Sequence, residues 1–389
     1  MHVKPIRLSL FLCLCMCLGL GILRFSYTAL LPTTREAFGW TTQFSSLLGS
    51  ANLLGYLMGA FWAMKIAQNR TMTTYIQLAA YTGMLSLLSC AFDGLSEIWY
   101  VFWRILSGIS GGLIMILAPS IVAQCSEPQS RFKINFIGFS GIGIGVLLAT
   151  LFLPYLDQIS TRSAWLILTL FALLISLIIS ILLKELRPLL SEQVFQQQDK
   201  ATFTPLYISL IIVYGCSAFA YVPHSLFWID YLTQVLKLDL YWINLNWILY
   251  GFGSVLGAFS AYALAQKFGN IQTLKILYSA YVLAILSAIF SHTPIFTFLS
   301  SFLTGLLNPA VVFLTSYTIL QLYGMAYKKL WSVATLCFAS IQLIGGLSFS
   351  ALQHLGASYH QQFLIASFVL LLGTAQLFWF SHNTKKSSI

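Results

Sequence analysis

Leu8–Leu31 reads LSLFLCLCMCLGLGILRFSYTALL, and its length decides the fold. It is apolar for far longer than a soluble strand needs and matches a bilayer-spanning helix, for which ~20 apolar residues suffice. Arg24 lies past its middle. A guanidinium at that depth costs roughly 2.5–3.5 kcal/mol on insertion scales and turns toward a bundle interior or a watery cavity. Arg24 is therefore the first candidate functional residue.

The whole chain shares this character. Its 389 residues are 58% hydrophobic and 8% charged, where a soluble domain carries about 25% charged residues. The composition is that of an all-α polytopic membrane protein, with the lipid bilayer as its medium. The net charge of +10 comes from basic residues scattered among short loops, and such scatter argues against nucleic acid as a partner. The cysteines at 13, 15, 17, 90, 125, 216 and 337 lie in or at the ends of apolar segments and read as small buried hydrophobes. Cys13, Cys15 and Cys17 are two apart, so on a helix they point to different sides. Neither a metal site nor any cofactor is expected. Residues 1–20 resemble a signal peptide, with His2, Lys4 and Arg7 before an apolar run. No small-x-small site follows, so the segment is expected to stay as the first span.

Twelve apolar segments can be marked, at about 8–31, 43–64, 73–92, 98–123, 134–155, 164–183, 205–229, 241–264, 272–290, 295–320, 331–352 and 361–381. A polar stretch from Lys184 to Phe203 divides them six and six. The domains expected are an N-terminal six-helix bundle over 1–186, a cytoplasmic linker over 187–203 and a C-terminal six-helix bundle over 204–389. With the N-terminus cytoplasmic, 15 Lys and Arg fall on the inner side and three (Arg35, Arg162, Lys237) on the outer. The positive-inside bias thus places both termini in the cytoplasm.

The halves repeat. GAFWAMKIAQ (Gly59–Gln68) matches GAFSAYALAQ (Gly257–Gln266) at an offset of 198 residues, and SGISGGLIMILAPSIVAQ (Ser107–Gln124) runs parallel to TGLLNPAVVFLTSYTILQ (Thr304–Gln321) at 197. Each pair occupies the same span number in its half. Two parallel-repeat bundles follow, of the kind found in secondary transporters.

LRFSYTALLP (Leu23–Pro32), SANLLGYLMGA (Ser50–Ala60), RILSGISGG (Arg104–Gly112) and YGCSAFAYVP (Tyr214–Pro223) resemble the YbfB/YjiJ family of the major facilitator superfamily. The resemblance covers essentially the whole chain. It implies the superfamily's twelve-helix fold and transport of a small solute in a bacterial inner membrane. Ala63 and Ala261 stand where the superfamily's loop motif carries Asp.

The candidate residues follow from their surroundings. Arg24 shares a helical face with Gly21, Tyr27 and Thr28. No Asp or Glu lies deep in any span, so a bound anion could supply its counter-charge. The competing readings are an arginine bonded to backbone carbonyls of a neighbouring helix and one that snorkels outward. Asn52 and Tyr56 extend a stripe of small and polar residues that also contains Ser45, Gly49 and Gly59, and either line the pathway or pack helices closely. Tyr221 and His224 on span 7 are expected to face them. His224 is the one group near the midplane that titrates around neutral pH, a candidate carrier for a coupled proton (H+), against a plain hydrogen-bonded histidine. Arg104, Gly141, Gly145, Gln342 and Gly345 are assigned to gating or packing. The GIGIG of span 5 follows no strand and is no nucleotide fingerprint. The expectation is a monomeric, non-enzymatic symporter or antiporter moving a small anionic organic solute by alternating access. The alternative is broad-specificity efflux of hydrophobic compounds.

Overall fold

The computed structural model describes residues 4–66, 69–151, 160–192, 203–290 and 293–386. Among them there is no strand. The first span joins α1 (Pro5–Met16) to α2 (Leu23–Ala37) through a π-helical turn, Cys17–Ile22. Pro5 begins α1, where a proline's missing N–H would have no helical partner anyway. Next come α3 (Thr42–Lys65), α4 (Asn69–Ser89), α5 (Glu97–Cys125), α6 (Arg131–Thr150) and α7 (Thr161–Glu192). Thr41 and Ser96 cap α3 and α5, their hydroxyls accepting from the N–H groups of Phe44 and Trp99.

The seventh span runs through α8 (Pro205–Val222), a π turn at Pro223–Phe227, the short α9 (Trp228–Asp230) and a second π turn, Tyr231–Val235. Pro223 opens that first π turn. The last five spans are α10 (Leu240–Phe268), α11 (Asn270–Ser287), α12 (Pro294–Tyr323), α13 (Tyr327–His354) and α14 (Tyr359–Lys386).

The described residues thus form twelve long helical segments. Ten stretches are long and apolar enough to cross a membrane. One of them, Ile295–His354, is 60 residues long and contains both α12 and α13, separated by the tight turn Gly324–Ala326. The helix outside the ten is α4. Within the linker expected over 187–203, α7 continues to Glu192, and residues 193–202 lie outside those described.

Two compact units divide the chain. One comprises residues 1–199 and 324–336, the other 200–323 and 337–389. In the first, α3 lies along α5, α1 along α6, and α4 along α5 and α7. Lipid tails are as apolar as leucine, so helices in a membrane associate through close packing of small residues. A β-carbon at Gly55 would stand 2.1 Å from the carbonyl oxygen of Ile105, and one at Gly108 2.1 Å from that of Asn52. No side chain fits at either place. A polar seam joins α4 to α7, where Arg187 donates to Gln77 at 2.8 Å and to Thr73 at 3.3 Å. Arg7 and Glu185 pair across the exposed ends of α1 and α7.

The start of α13 belongs to this first unit, and Trp331 fixes it there. Its indole N–H donates to the carbonyl of Met115 in α5 at 3.0 Å. That carbonyl has lost its usual helical donor, because the residue four further on is Pro119, which has no N–H.

In the second unit α10 lies along α12, α8 along α14, and α11 along both α12 and α14. A β-carbon at Gly253 would stand 2.2 Å from the carbonyl oxygen of Phe302, and one at Gly305 2.2 Å from that of Tyr250.

Candidate functional site

The π turn at Cys17–Ile22 carries the glycines of the run CLGLGI. A π turn inserts an extra residue into the helical repeat and re-aims the side chains that follow, a device common at functional sites. Here the turn is seated on α6: a β-carbon at Gly21 would lie 2.5 Å from the Cα of Gly145, and one at Gly145 2.3 Å from the carbonyl of Cys17. Gly141 meets the carbonyl of Cys13 in the same way at 2.1 Å. The glycines of span 5 are thus contact points that hold the first span against α6. Arg24 follows directly.

Arg24 is half-buried. Its Nη2 is buried with no hydrogen-bond partner, and its guanidinium carbon lies 5.8 Å from the centre of the Tyr56 ring and 5.9 Å from that of Phe25. Among the described residues no carbonyl oxygen accepts a hydrogen bond from it. Arg104 is more deeply placed, at 4% exposure. It sits over the ring of Tyr27 at 4.0 Å, and its Nη1 donates to the carbonyl of Leu23 at 3.5 Å, which Ser107 also reaches at 3.2 Å. The Nε of Arg104 is buried without a partner. The Leu23 carbonyl that Arg104 reaches belongs to the residue just before Arg24. Among the described residues no carboxylate pairs with either arginine.

The surrounding polar groups tie this region together. Asn52 donates from Nδ2 to the carbonyl of Arg104 at 3.3 Å, and the Tyr27 hydroxyl donates to the carbonyl of Ser45 at 3.1 Å. The structure therefore gathers Arg24, Tyr27, Asn52, Tyr56 and Arg104 into one neighbourhood of the first unit. It is built from α2, α3 and α5.

In the second unit, the hydroxyls of Tyr221 and Tyr250 meet at 2.5 Å. His224 lies in the π turn, stacked on Trp228 at 4.8 Å with the edge of Phe363 at 5.1 Å. Its Nε2 is 2.9 Å from the Ser300 hydroxyl, which donates onward to the carbonyl of Ala284 at 3.4 Å. Its Nδ1 is buried without a partner. Gln342 is fully buried, and neither end of its amide has a partner. Gly345 is a packing contact, its β-carbon position 3.0 Å from Val222 and 3.1 Å from Phe219.

Four groups in these networks escaped the sequence reading: the Leu23 carbonyl, Ser107, Tyr250 and Ser300. Only Tyr250 carried a signal, since it stands 198 residues after Asn52, at the offset of the internal repeat.

Comparison with known proteins agrees with this architecture. The crystal structure of the human organic anion transporter MFSD10 (TETRAN) superposes with a TM-score of 0.72 at 18% identity, over 97% of this chain and 100% of that one. This is a likeness of fold. A protein of Synechocystis sp. named "Glucose transport protein" is 33% identical over 122 residues, 30% of this chain. The chain thus spans about a quarter (25%) of that relative's length. Residues 16–377 match the family described as "Uncharacterised MFS-type transporter YbfB". With that match running from the first span to the last, the chain belongs to this family of MFS-type transporters and is a multi-pass membrane protein.

Proposed function

We propose that the protein is a secondary transporter of a small organic anion, and that Arg24 holds the anionic group. The observation that carries this reading is the state of Arg24: a cation within a span, one nitrogen buried without a partner, and, among the described residues, no carboxylate paired with it. Such a charge is costly to keep in hydrocarbon unless it is matched, and a solute that arrives and leaves matches it without a permanent partner. Tyr56 and Tyr27 wall the place with rings, and Asn52 holds the backbone of α5 beside it. Transport then requires the site to be exposed to each side of the membrane in turn.

The test is a thermal-shift panel on the purified protein, with carboxylates, phosphates, sulfonates and glucose. A ligand that binds the folded state raises its stability by mass action. The expected result is stabilisation by an anion, lost in Arg24→Ala. Stabilisation by glucose with no response to any anion sinks the proposal in favour of a neutral sugar, the solute in the name of the partial relative.

A further inference from the structure

Position alone gives Arg104 a structural or gating role, yet its surroundings fit neither well. We propose that Arg104 is the second cation of the Arg24 site and that the transported solute is an organic dianion. This rests on the anion reading above and deepens it.

A guanidinium has five N–H donors. Arg104 spends one of them on the Leu23 carbonyl, at the long distance of 3.5 Å, and lays one face on Tyr27. Its Nε is buried and unpartnered, in a residue only 4% exposed. An arginine kept for structure inside a membrane pairs with a carboxylate or with several carbonyls; Arg104 does neither. The carbonyl it reaches belongs to Leu23, the residue just before Arg24, and both arginines belong to one unit. The repeat position in the other half is Ser301, so the fold itself does not demand a cation here. Two neighbouring cations, each with an unfilled buried donor, call for two negative charges. A monoanion leaves one of them uncompensated in a low-dielectric site, where that cost is greatest. A dicarboxylate and a phosphate monoester both supply two charges.

Two matched pairs of ligands test this by titration calorimetry on the full chain: succinate against monomethyl succinate, and methyl phosphate against dimethyl phosphate. Measurements at about pH 8 keep the phosphate monoester doubly charged. In the wild type, at least one dianion should bind about tenfold or more tightly than its singly charged twin, a ratio equal to ~1.4 kcal/mol. The pair that shows the preference identifies the source of the charges. Arg104→Gln should bring that ratio within about twofold while the monoanion still binds through Arg24, and Arg104→Lys should retain most of the preference. Equal affinity within both pairs in the wild type overturns the inference and leaves the anion reading standing. So does an undiminished preference in Arg104→Gln. If Arg104→Gln does not fold, the wild-type ratio and Arg104→Lys decide. Failure of all four ligands to bind overturns the anion reading and this inference with it.

Discussion

The contact of α3 with α5 and the contact of α10 with α12 are one joint built twice. Gly55, Gly59 and Gly108 form it in the first unit, Gly253, Gly257 and Gly305 in the second, at offsets of 198, 198 and 197 residues. In each, a β-carbon would fall 2.1–2.3 Å from a carbonyl oxygen of the facing helix. The side chains beside the joint are another matter. Asn52 faces the carbonyl of Arg104 in one unit, and its repeat position is Tyr250, whose hydroxyl meets Tyr221 in the other. Arg104 corresponds to Ser301, and Arg24 to Val222. The repeat thus keeps the backbone approach that holds the helices together. It does not keep the two arginines, Arg24 and Arg104, which belong to the first unit.

The largest effect should come from breaking the joint itself. Gly108→Val and Gly305→Val each force a branched side chain against a carbonyl that leaves no room for even one carbon. Overpacking a well-packed contact costs about 1–3 kcal/mol where side chains can shift, and here the obstacle is backbone. Both variants should fail to give monodisperse protein in detergent, or melt far below the wild type. If one is tolerated and the other is not, the two joints are not mechanically equivalent and the comparison breaks at its root.

Next in size is the arginine charge that the repeat does not duplicate. Truncating one partner of a buried charged contact costs 2–5 kcal/mol, so Arg24→Ala should lower transport roughly 30-fold or more. It should also remove stabilisation by anions while leaving the protein in the membrane. The matched change at the repeat position, Val222→Ala, removes packing against Gly345 but no charge. It should lower the melting temperature slightly and leave anion stabilisation intact. Wild-type transport by Arg24→Ala would sink the assignment.

How much of this was legible in the sequence follows from what kind of signal each feature leaves. Leu8–Leu31 announced a span because length and apolarity are local properties. Gly59 and Gly257 announced the repeat because ten-residue blocks around them match. Arg24 stood out because a charge in such a run is conspicuous without any structure. The π turn at Cys17–Ile22 left no trace, since CLGLGI is as compatible with an α-helix as with a wider one. The Leu23 carbonyl beneath Arg104 was hidden for a different reason: it is backbone, and its two donors come from a helix some 80 residues away (|i−j| of 81 and 84). The Tyr221–Tyr250 contact depends on how α8 approaches α10, which no periodicity encodes.

A smaller effect sharpens the comparison at Asn52 and Tyr250. Each lends one side-chain hydrogen bond beside its joint, and a net hydrogen bond is worth about 1 kcal/mol. Asn52→Ala and Tyr250→Phe should therefore destabilise by similar amounts in thermal or denaturant melts. They should differ in binding: Asn52→Ala loosens the backbone of Arg104 and weakens anion affinity several-fold, whereas Tyr250→Phe leaves the charged neighbourhood untouched. Equal loss of affinity in both would mean that the two units share the work of binding anions.

The smallest effect concerns a place where the two halves differ in backbone rather than side chain. Pro119 interrupts the hydrogen-bond ladder of α5, and 197 residues on, α12 has Ser316 instead. The carbonyl that Pro119 strands belongs to Met115, and the indole of Trp331 takes it up. If that orphaned carbonyl is what Trp331 serves, the value of the indole N–H must depend on the proline. Trp331→Phe should cost about 1 kcal/mol in the wild type, where it leaves a buried carbonyl unsatisfied. In Pro119→Ala, residue 119 regains an N–H that can bond the Met115 carbonyl within the helix, and the same replacement of Trp331 should then cost close to nothing beyond lost ring area. A double-mutant cycle on melting free energies reads this difference directly. An equal cost in both backgrounds would show that the tryptophan holds the start of α13 by packing alone, and that the proline in α5 is unrelated to it.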